Sequence, residues 1–200
     1  MPAPVSGVDA LEAFYRDELN HPERAMTAHL PTLRRFASQC SIVAEFGVKK
    51  GASSSALLLG AQEVWSWDIV ETKSARNLAR IAGSRWHYQI QSSLDAVLPS
   101  HCSMLFIDSL HTFAQCDSEL ERHADQVSEL LVFHDVTTFG EVGALGETGR
   151  QSWAYEPGTT VPEAHWGIRP AIDRLMIRDR SWRILRRDVH GHGLLVLGRR

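Results

Sequence analysis

Apolar positions along the chain follow two periods. Val8, Leu11, Tyr15 and Leu19 recur every three or four residues, as do Leu30, Leu33, Phe36 and Ala37, which predicts helices within residues 1–40. Pro22 and Pro31 limit where those helices start. Beyond them the pattern changes to short unbroken apolar runs. The run "SIVAEFG" ends in Glu45 and Gly47, as suits a strand buried on both faces. A second strand, "EVWSWDIV", ends near Asp68, and a helix over "TKSARNLARIAG" is stopped by Gly83. The third and fourth strands are "RWHYQI" and "SMLFID". An amphipathic helix from Thr112 to Val127 follows, with Phe113, Cys116, Leu120, Ala124 and Val127 on one face, and "ELLVFHD" is the fifth strand. Strand and helix alternate, which argues for a parallel sheet covered on both faces.

Residues 136–165 break this rhythm. They are rich in Gly, Thr and Pro, carry Trp153 and Tyr155, and show no period, so they read as an inserted lid. Helical spacing returns at Ile168, Ala171, Ile172, Leu175 and Met176. The runs "WRILRRD" and "LLVLGRR", joined by the turn "VHGHG", make an antiparallel hairpin. Residues 1–200 therefore read as one α/β domain: two N-terminal helices, then a three-layer sandwich around a mostly parallel seven-stranded sheet with an antiparallel C-terminal hairpin.

Composition narrows the partners. The chain is 44% hydrophobic and 22% charged, ordinary for a soluble protein, and a net charge of -3 offers no footprint for a nucleic-acid backbone. Cys40, Cys102 and Cys116 lack any CxxC pairing, so neither a disulfide framework nor a cysteine zinc site is expected, and a cytoplasmic setting is. The N-terminus lacks a basic-then-apolar leader and no apolar stretch reaches membrane-spanning length. The expected partner is a small molecule, not nucleic acid or membrane. A homo-oligomer is compatible with the sequence.

In an open parallel sheet, ligands sit beyond the carboxyl ends of the strands, where strand order reverses. The polar groups at those ends are Glu45, Asp68, Asp108 and the pair His134–Asp135, so all should gather on one rim. In the first turn, "EFGVKKGASSS", Gly47 and Gly51 permit a tight bend, and a helix opening at Ser53 or Ser54 points free N–H groups at a ligand. The spacing G-x-x-x-G suits a small zwitterion better than a pyrophosphate, although such turns also occur with no ligand. Asp68 can take both hydroxyls of a ribose or merely cap the next helix. Gln91 and Ser92 can line an adenine pocket, and loop polarity explains them equally well. Asp108 and Asp135 would share a proton or a divalent cation. With His134 they offer O, N, O ligands for Mg or Mn and also for Fe or Zn; otherwise His134 is a packed core residue. His111, one turn after Asp108, with an ordinary pKa of ~6.5, suits a general base for a hydroxyl. His190 and His192 read as a hairpin turn without a third ligand.

Together, "VAEFGVKKGASSS", "WSWDIVE", "LFIDSLHTFAQCDSELE" and "LLVFHD" resemble the class I S-adenosylmethionine-dependent methyltransferases. Within that class the resemblance is to the branch of macrocin and mycinamicin sugar O-methyltransferases and cephalosporin-hydroxylase-like proteins, over roughly residues 40–136. It implies a Rossmann-like fold. It also implies Glu45, Gly47, Gly51 and Ser53 at the amino-acid end of S-adenosylmethionine, Asp68 at its ribose, and Gln91 and Ser92 at adenine. Asp108, bordering the cofactor, and Asp135 would hold a divalent ion, Mg or Mn with Fe as the alternative, and His111 would take the acceptor's proton. Three positions depart from the branch. Ser109 and Leu110 replace the middle of F-I-D-G-D-H, "ADQVSEL" stands where Gly-Gly is usual, and His134 replaces an acidic residue, which admits another metal or none. The expected activity is O-methylation of a small molecule such as a sugar or another natural product, with Trp153, Tyr155, His165 and Trp166 shaping the acceptor pocket. The rivals are a metal-dependent hydroxylase or oxygenase with iron at Asp108, His134 and Asp135, and a non-catalytic adenosyl-ligand-binding module.

Overall fold

A computed structural model describes residues 7–144 and 165–200 of the protein, so Trp153, Tyr155 and most of the expected lid lie outside the described residues. Helices α1 (Gly7–Leu19) and α2 (Leu30–Ala37) form where the apolar spacing places them, with Leu11, Tyr15, Leu30 and Leu33 buried. Val8, expected on the buried face, is exposed because it lies in the first turn, beyond the packed stretch. Pro31 occupies the first turn of α2, where a missing N–H costs no helical bond.

The alternation that follows is β1 (Ile42–Phe46), α3 (Ala52–Gly60), β2 (Glu63–Asp68), α4 (Lys73–Ala82), β3 (Trp86–Ile90), β4 (Met104–Ile107), α5 (Phe113–His123) and β5 (Leu130–His134). Helix α6 (Arg169–Arg178) then leads to β6 (Trp182–Asp188) and β7 (Leu194–Arg199). The seven strands form one sheet in the order β3-β2-β1-β4-β5-β7-β6. β1 to β5 run parallel, and β7 inserts antiparallel between β5 and β6. Side chains alternate across the central strands, as a doubly covered sheet requires. Val43, Met104, Phe106 and Val132 pack with α1 to α4, whereas Leu105, Ile107, Leu131 and Phe133 pack with α5 and α6. Thr72 and Thr112 cap α4 and α5 by accepting from the backbone N–H of Ala75 and Gln115. No helix among the described residues is long and apolar enough to cross a membrane.

The chain leaves β1 toward β2 and β3, then returns to β4 on the other side of β1, so strand order reverses between β1 and β4. The loops after these two strands touch there. Gly47 adopts φ +87°, and a Cβ on it would lie 2.1 Å from the Asp108 carbonyl oxygen. Replacing this glycine therefore incurs both a left-handed backbone penalty and a backbone clash. Gly47→Ala should lower folding stability by about 3 kcal/mol or more, read by urea denaturation. Wild-type stability in that variant would show that the two loops separate freely.

Candidate active site

A cavity of about 1170 Å³ opens along the carboxyl ends of the strands. Its wall includes Gly47, Asp68, Gln91, Ser92, Asp108, His111, His134 and Asp135, so most of the residues expected on one rim are on it. Two acidic side chains build its first loop. The Asp68 carboxylate accepts from the backbone N–H groups of Val48 (2.8 Å) and Lys49 (2.7 Å) through Oδ2, and from Val70 (3.0 Å) through Oδ1. These bonds hold Lys49 at φ +52°, a left-handed conformation without glycine.

Glu45 is not on the cavity wall, contrary to the expectation of direct ligand contact. Its side chain is fully buried beneath the loop and accepts from Ser53, Ser54 and Ser66 hydroxyls, each at 2.6 Å, while the Trp86 indole donates to Ser66. Burial pushes its carboxyl up to about 7, against the lowering effect of the three hydroxyls. Gly51 is likewise behind the wall. It caps α3 at φ +88° with a would-be Cβ 2.7 Å from Leu78, and α3 begins at Ala52, one residue before the expected Ser53. Ser53 remains in the wall.

At the other end stands a cluster of carboxylates and imidazoles. His111 Nε2 lies 3.1 Å from Asp108 Oδ1 and 3.0 Å from Asp135 Oδ2, and its ring stacks on Phe139. These donors, one from each of Asp108, His111 and Asp135, lie within 4.8 Å of one another, close enough to share a cation. His134 is differently placed. Its Nε2 faces the Gly191 carbonyl at 3.0 Å, which only accepts, and its Nδ1 faces Asp108 Oδ1 and Asp135 Oδ2, each at 3.0 Å. Both nitrogens therefore carry hydrogen and His134, like His111, is an imidazolium, with Nδ1 aimed at the same two carboxylate oxygens as His111 Nε2. The three donors within cation reach of one another include His111 and not His134, the expected nitrogen of the ligand set and of the oxygenase rival's iron site, although an Nε2–H bond to a carbonyl is itself compatible with ligation through Nδ1.

The charges reinforce one another. Burial alone would lower both histidines, but hydrogen bonds and charges from Asp108 and Asp135 push His111 up to about 9 and His134 up to about 10. Burial opposes ionisation of Asp108 and Asp135, and the two imidazoles outweigh it, holding both below the usual carboxylate range. His111 is therefore protonated at neutral pH, unlike the free base expected from an ordinary histidine.

The hairpin turn read as structural is part of the site. Gly191, His192 and Gly193 are consecutive left-handed residues. The Gly191 carbonyl accepts from His134 and also from His29 Nε2 at 2.9 Å, the latter reaching in from the N-terminal segment. His192 lines the cavity, with Nδ1 2.9 Å from Asp135 Oδ1. Its carbonyl accepts from Thr137 and Thr138, which docks the turn beyond β5. H-G-H-G was the one sequence signal for this, since alternating glycines beside histidines permit such close backbone approach. The expected acceptor residues His165 and Trp166 are exposed and outside the wall, Trp166 lying edge-on to Phe113.

The chain matches no family model, and no curated protein matches it in sequence. Solved structures do match it in shape. An O-methyltransferase from Bacillus cereus in complex with SAH aligns over 100% of this chain and 93% of its own, with a TM-score of 0.65 at 14% identity. The fold is that of the class I methyltransferases. The N-methyltransferase NodS from Bradyrhizobium japonicum, in complex with S-adenosyl-l-homocysteine, aligns over 97% of this chain and 98% of its own, with a TM-score of 0.60 at 13% identity. A 1,6-didemethyltoxoflavin-N1-methyltransferase from Burkholderia thailandensis, with bound 1,6-didemethyltoxoflavin and S-adenosylhomocysteine, covers 100% and 93%, with a TM-score of 0.58 at 15% identity. Oxygen and nitrogen methyltransferases both occur among these neighbours.

Glu45 carries a measurable consequence. Its folded pKa of about 7 lies above its unfolded value of ~4.3, so its contribution is fully present below the unfolded value and is lost as pH rises through about 7. The stability of wild type relative to Glu45→Gln should fall by up to about 3 kcal/mol between pH 4.5 and 7.5 in urea denaturation. A constant difference across that range would mean that Glu45 is ionised throughout.

Proposed function

We propose that the protein is an S-adenosylmethionine-dependent methyltransferase acting on a hydroxyl of a small molecule, with a divalent cation held by Asp108, His111 and Asp135. The observation that carries this reading is the presence in one cavity of the Gly47 loop, Asp68 and that three-donor group. S-adenosylmethionine brings a methyl already activated on sulfonium, so the protein has mainly to position the two reactants. Asp68, fixed by three backbone amides, offers its remaining lone pairs to ribose hydroxyls. The first turn of α3, at Ala52 and Ser53, faces the cavity and suits the methionine carboxylate. Gly47 lets the backbone approach the ligand, and Asp108 borders both cofactor and cation.

The donor set fits a cation. Distances of 3.0–3.1 Å from His111 Nε2 to the two carboxylate oxygens suit neighbouring ligands of an ion with bonds of ~2.1 Å. One imidazole among the oxygens favours Mn, Fe or Zn over Mg. Such an ion lowers the pKa of a hydroxyl bound to it. His111 has a single nitrogen aimed at the cluster and serves there as ligand or as base, not both, so with an ion bound its expected base role lapses. His134 holds the same two carboxylate oxygens through Nδ1, and His192 fixes the second oxygen of Asp135. The polar wall near Glu18, Arg24 and His192 suits a hydroxylated acceptor such as a sugar or related natural product. A metal-free version is favoured by one fact: two imidazoliums already balance the two aspartates.

Calorimetric titration with S-adenosylhomocysteine, and paramagnetic resonance titration with Mn²⁺, test the reading. Wild type should bind both. Asp68→Ala should weaken the nucleoside about tenfold or more, and His111→Ala should abolish Mn²⁺ binding. Failure of folded wild type to bind S-adenosylhomocysteine would overturn the methyltransferase assignment, whereas nucleoside binding without Mn²⁺ binding would leave the metal-free version.

A further inference from the structure

We infer that Gln115 reads the amino group of the adenine base, with Glu119 and Ser93 fixing which end of its amide faces the ligand; this rests on the cofactor reading above. The two residues first expected at adenine each make a local bond with part of their side chain. Gln91 donates its amide N–H to the Asp95 carbonyl at 2.9 Å, and the Ser92 hydroxyl accepts from the backbone of Leu94 at 3.2 Å. Gln115 reaches the same loop from the first turn of α5 and lies in the cavity wall beside Ser92, Ser93 and Leu94.

Its orientation follows from its hydrogen bonds to Ser93 and Glu119. Gln115 Nε2 donates to Ser93 Oγ and to Glu119 Oε1, each at 2.9 Å, while Ser93 Oγ donates to the same Glu119 oxygen. Both amide hydrogens are thereby used. Flipping the amide would set its carbonyl against the Glu119 oxygen, acceptor against acceptor, in a place where Glu119 is 0% exposed and has no water to turn to. The Gln115 carbonyl oxygen therefore remains as a fixed acceptor for the cavity.

The location is that of a base attached to a ribose at Asp68. The Gln91 N–H donates to the Asp68 carbonyl at 2.9 Å, so the loop carrying Ser92 to Leu94 starts beside the ribose carboxylate. Ile69 and Val70, 50% and 58% exposed and in the wall, offer apolar surface for a flat ring. Adenine presents a 6-amino donor to a fixed acceptor; hypoxanthine presents a 6-oxo acceptor and is repelled. Glu119 is a positioning residue and Gln115 the one that touches the base.

The test compares S-adenosylhomocysteine with S-inosylhomocysteine by calorimetry on the full chain. Wild type should favour the adenosyl compound by roughly tenfold to a hundredfold. Gln115→Met, which keeps length and packing, should cut that ratio to a few-fold, and Glu119→Met should cut it too by freeing the amide to flip. A mere packing role would weaken both compounds alike and leave the ratio unchanged, which would overturn the inference. Equal affinities in wild type would overturn it as well. If Glu119→Met fails to fold, Gln115→Met decides alone. Absence of S-adenosylhomocysteine binding to folded wild type is a different failure, that of the cofactor reading, and the inference falls with it.

Discussion

Four carboxylates stand at the ends of adjacent or nearby strands, and each must be hydrogen-bonded or neutralised where it stands. The site is the set of answers to that demand. Glu45 is satisfied by three hydroxyls under the first loop. Asp68 takes backbone amides, and in doing so shapes the loop that borders the cavity. Asp108 and Asp135 take imidazoles. Each answer leaves a different residual chemistry: a buried acid near neutrality, a rigid acceptor, and a charged cluster with a cation-sized set of donors.

The solutions need unusual backbone. Among the described residues other than glycine, Lys49, His101, Asp135 and His192 have positive φ, and all but His101 are on the cavity rim. Such conformations cost of order 1 kcal/mol or more each and persist where surrounding bonds over-determine them. Here those bonds are identifiable. Lys49 is held by Asp68, while Asp135 and His192 hold one another through Oδ1 and Nδ1.

Much of this was legible in the sequence, for local reasons. Apolar runs ending in Glu45, Asp68, Asp108 and Asp135 declared buried strands, and alternation with amphipathic helices placed their carboxyl ends together. What escaped depends on distant partners. His29 and Gly191 meet across 162 residues, and no spacing announces that. Gln115 and Glu119 look like an ordinary polar helix face until the loop after β3 is laid against them. His111 looks like a free base until two carboxylates flank it. His134 is the clearest lesson: beside Asp135 in the chain it resembles a ligand, and nothing there announces the carbonyl of the far hairpin that fixes its other nitrogen.

That hairpin also ties distant parts of the chain into one cooperative unit. β7 fills the gap between β5 and β6, so β6 joins the sheet only through residues 194–199. The turn between the two strands reaches His29 and His134 through the Gly191 carbonyl and Asp135 through His192. Loosening the β7 pairing would loosen the imidazole–carboxylate cluster as well, so the sheet edge and the cavity rim open together or not at all.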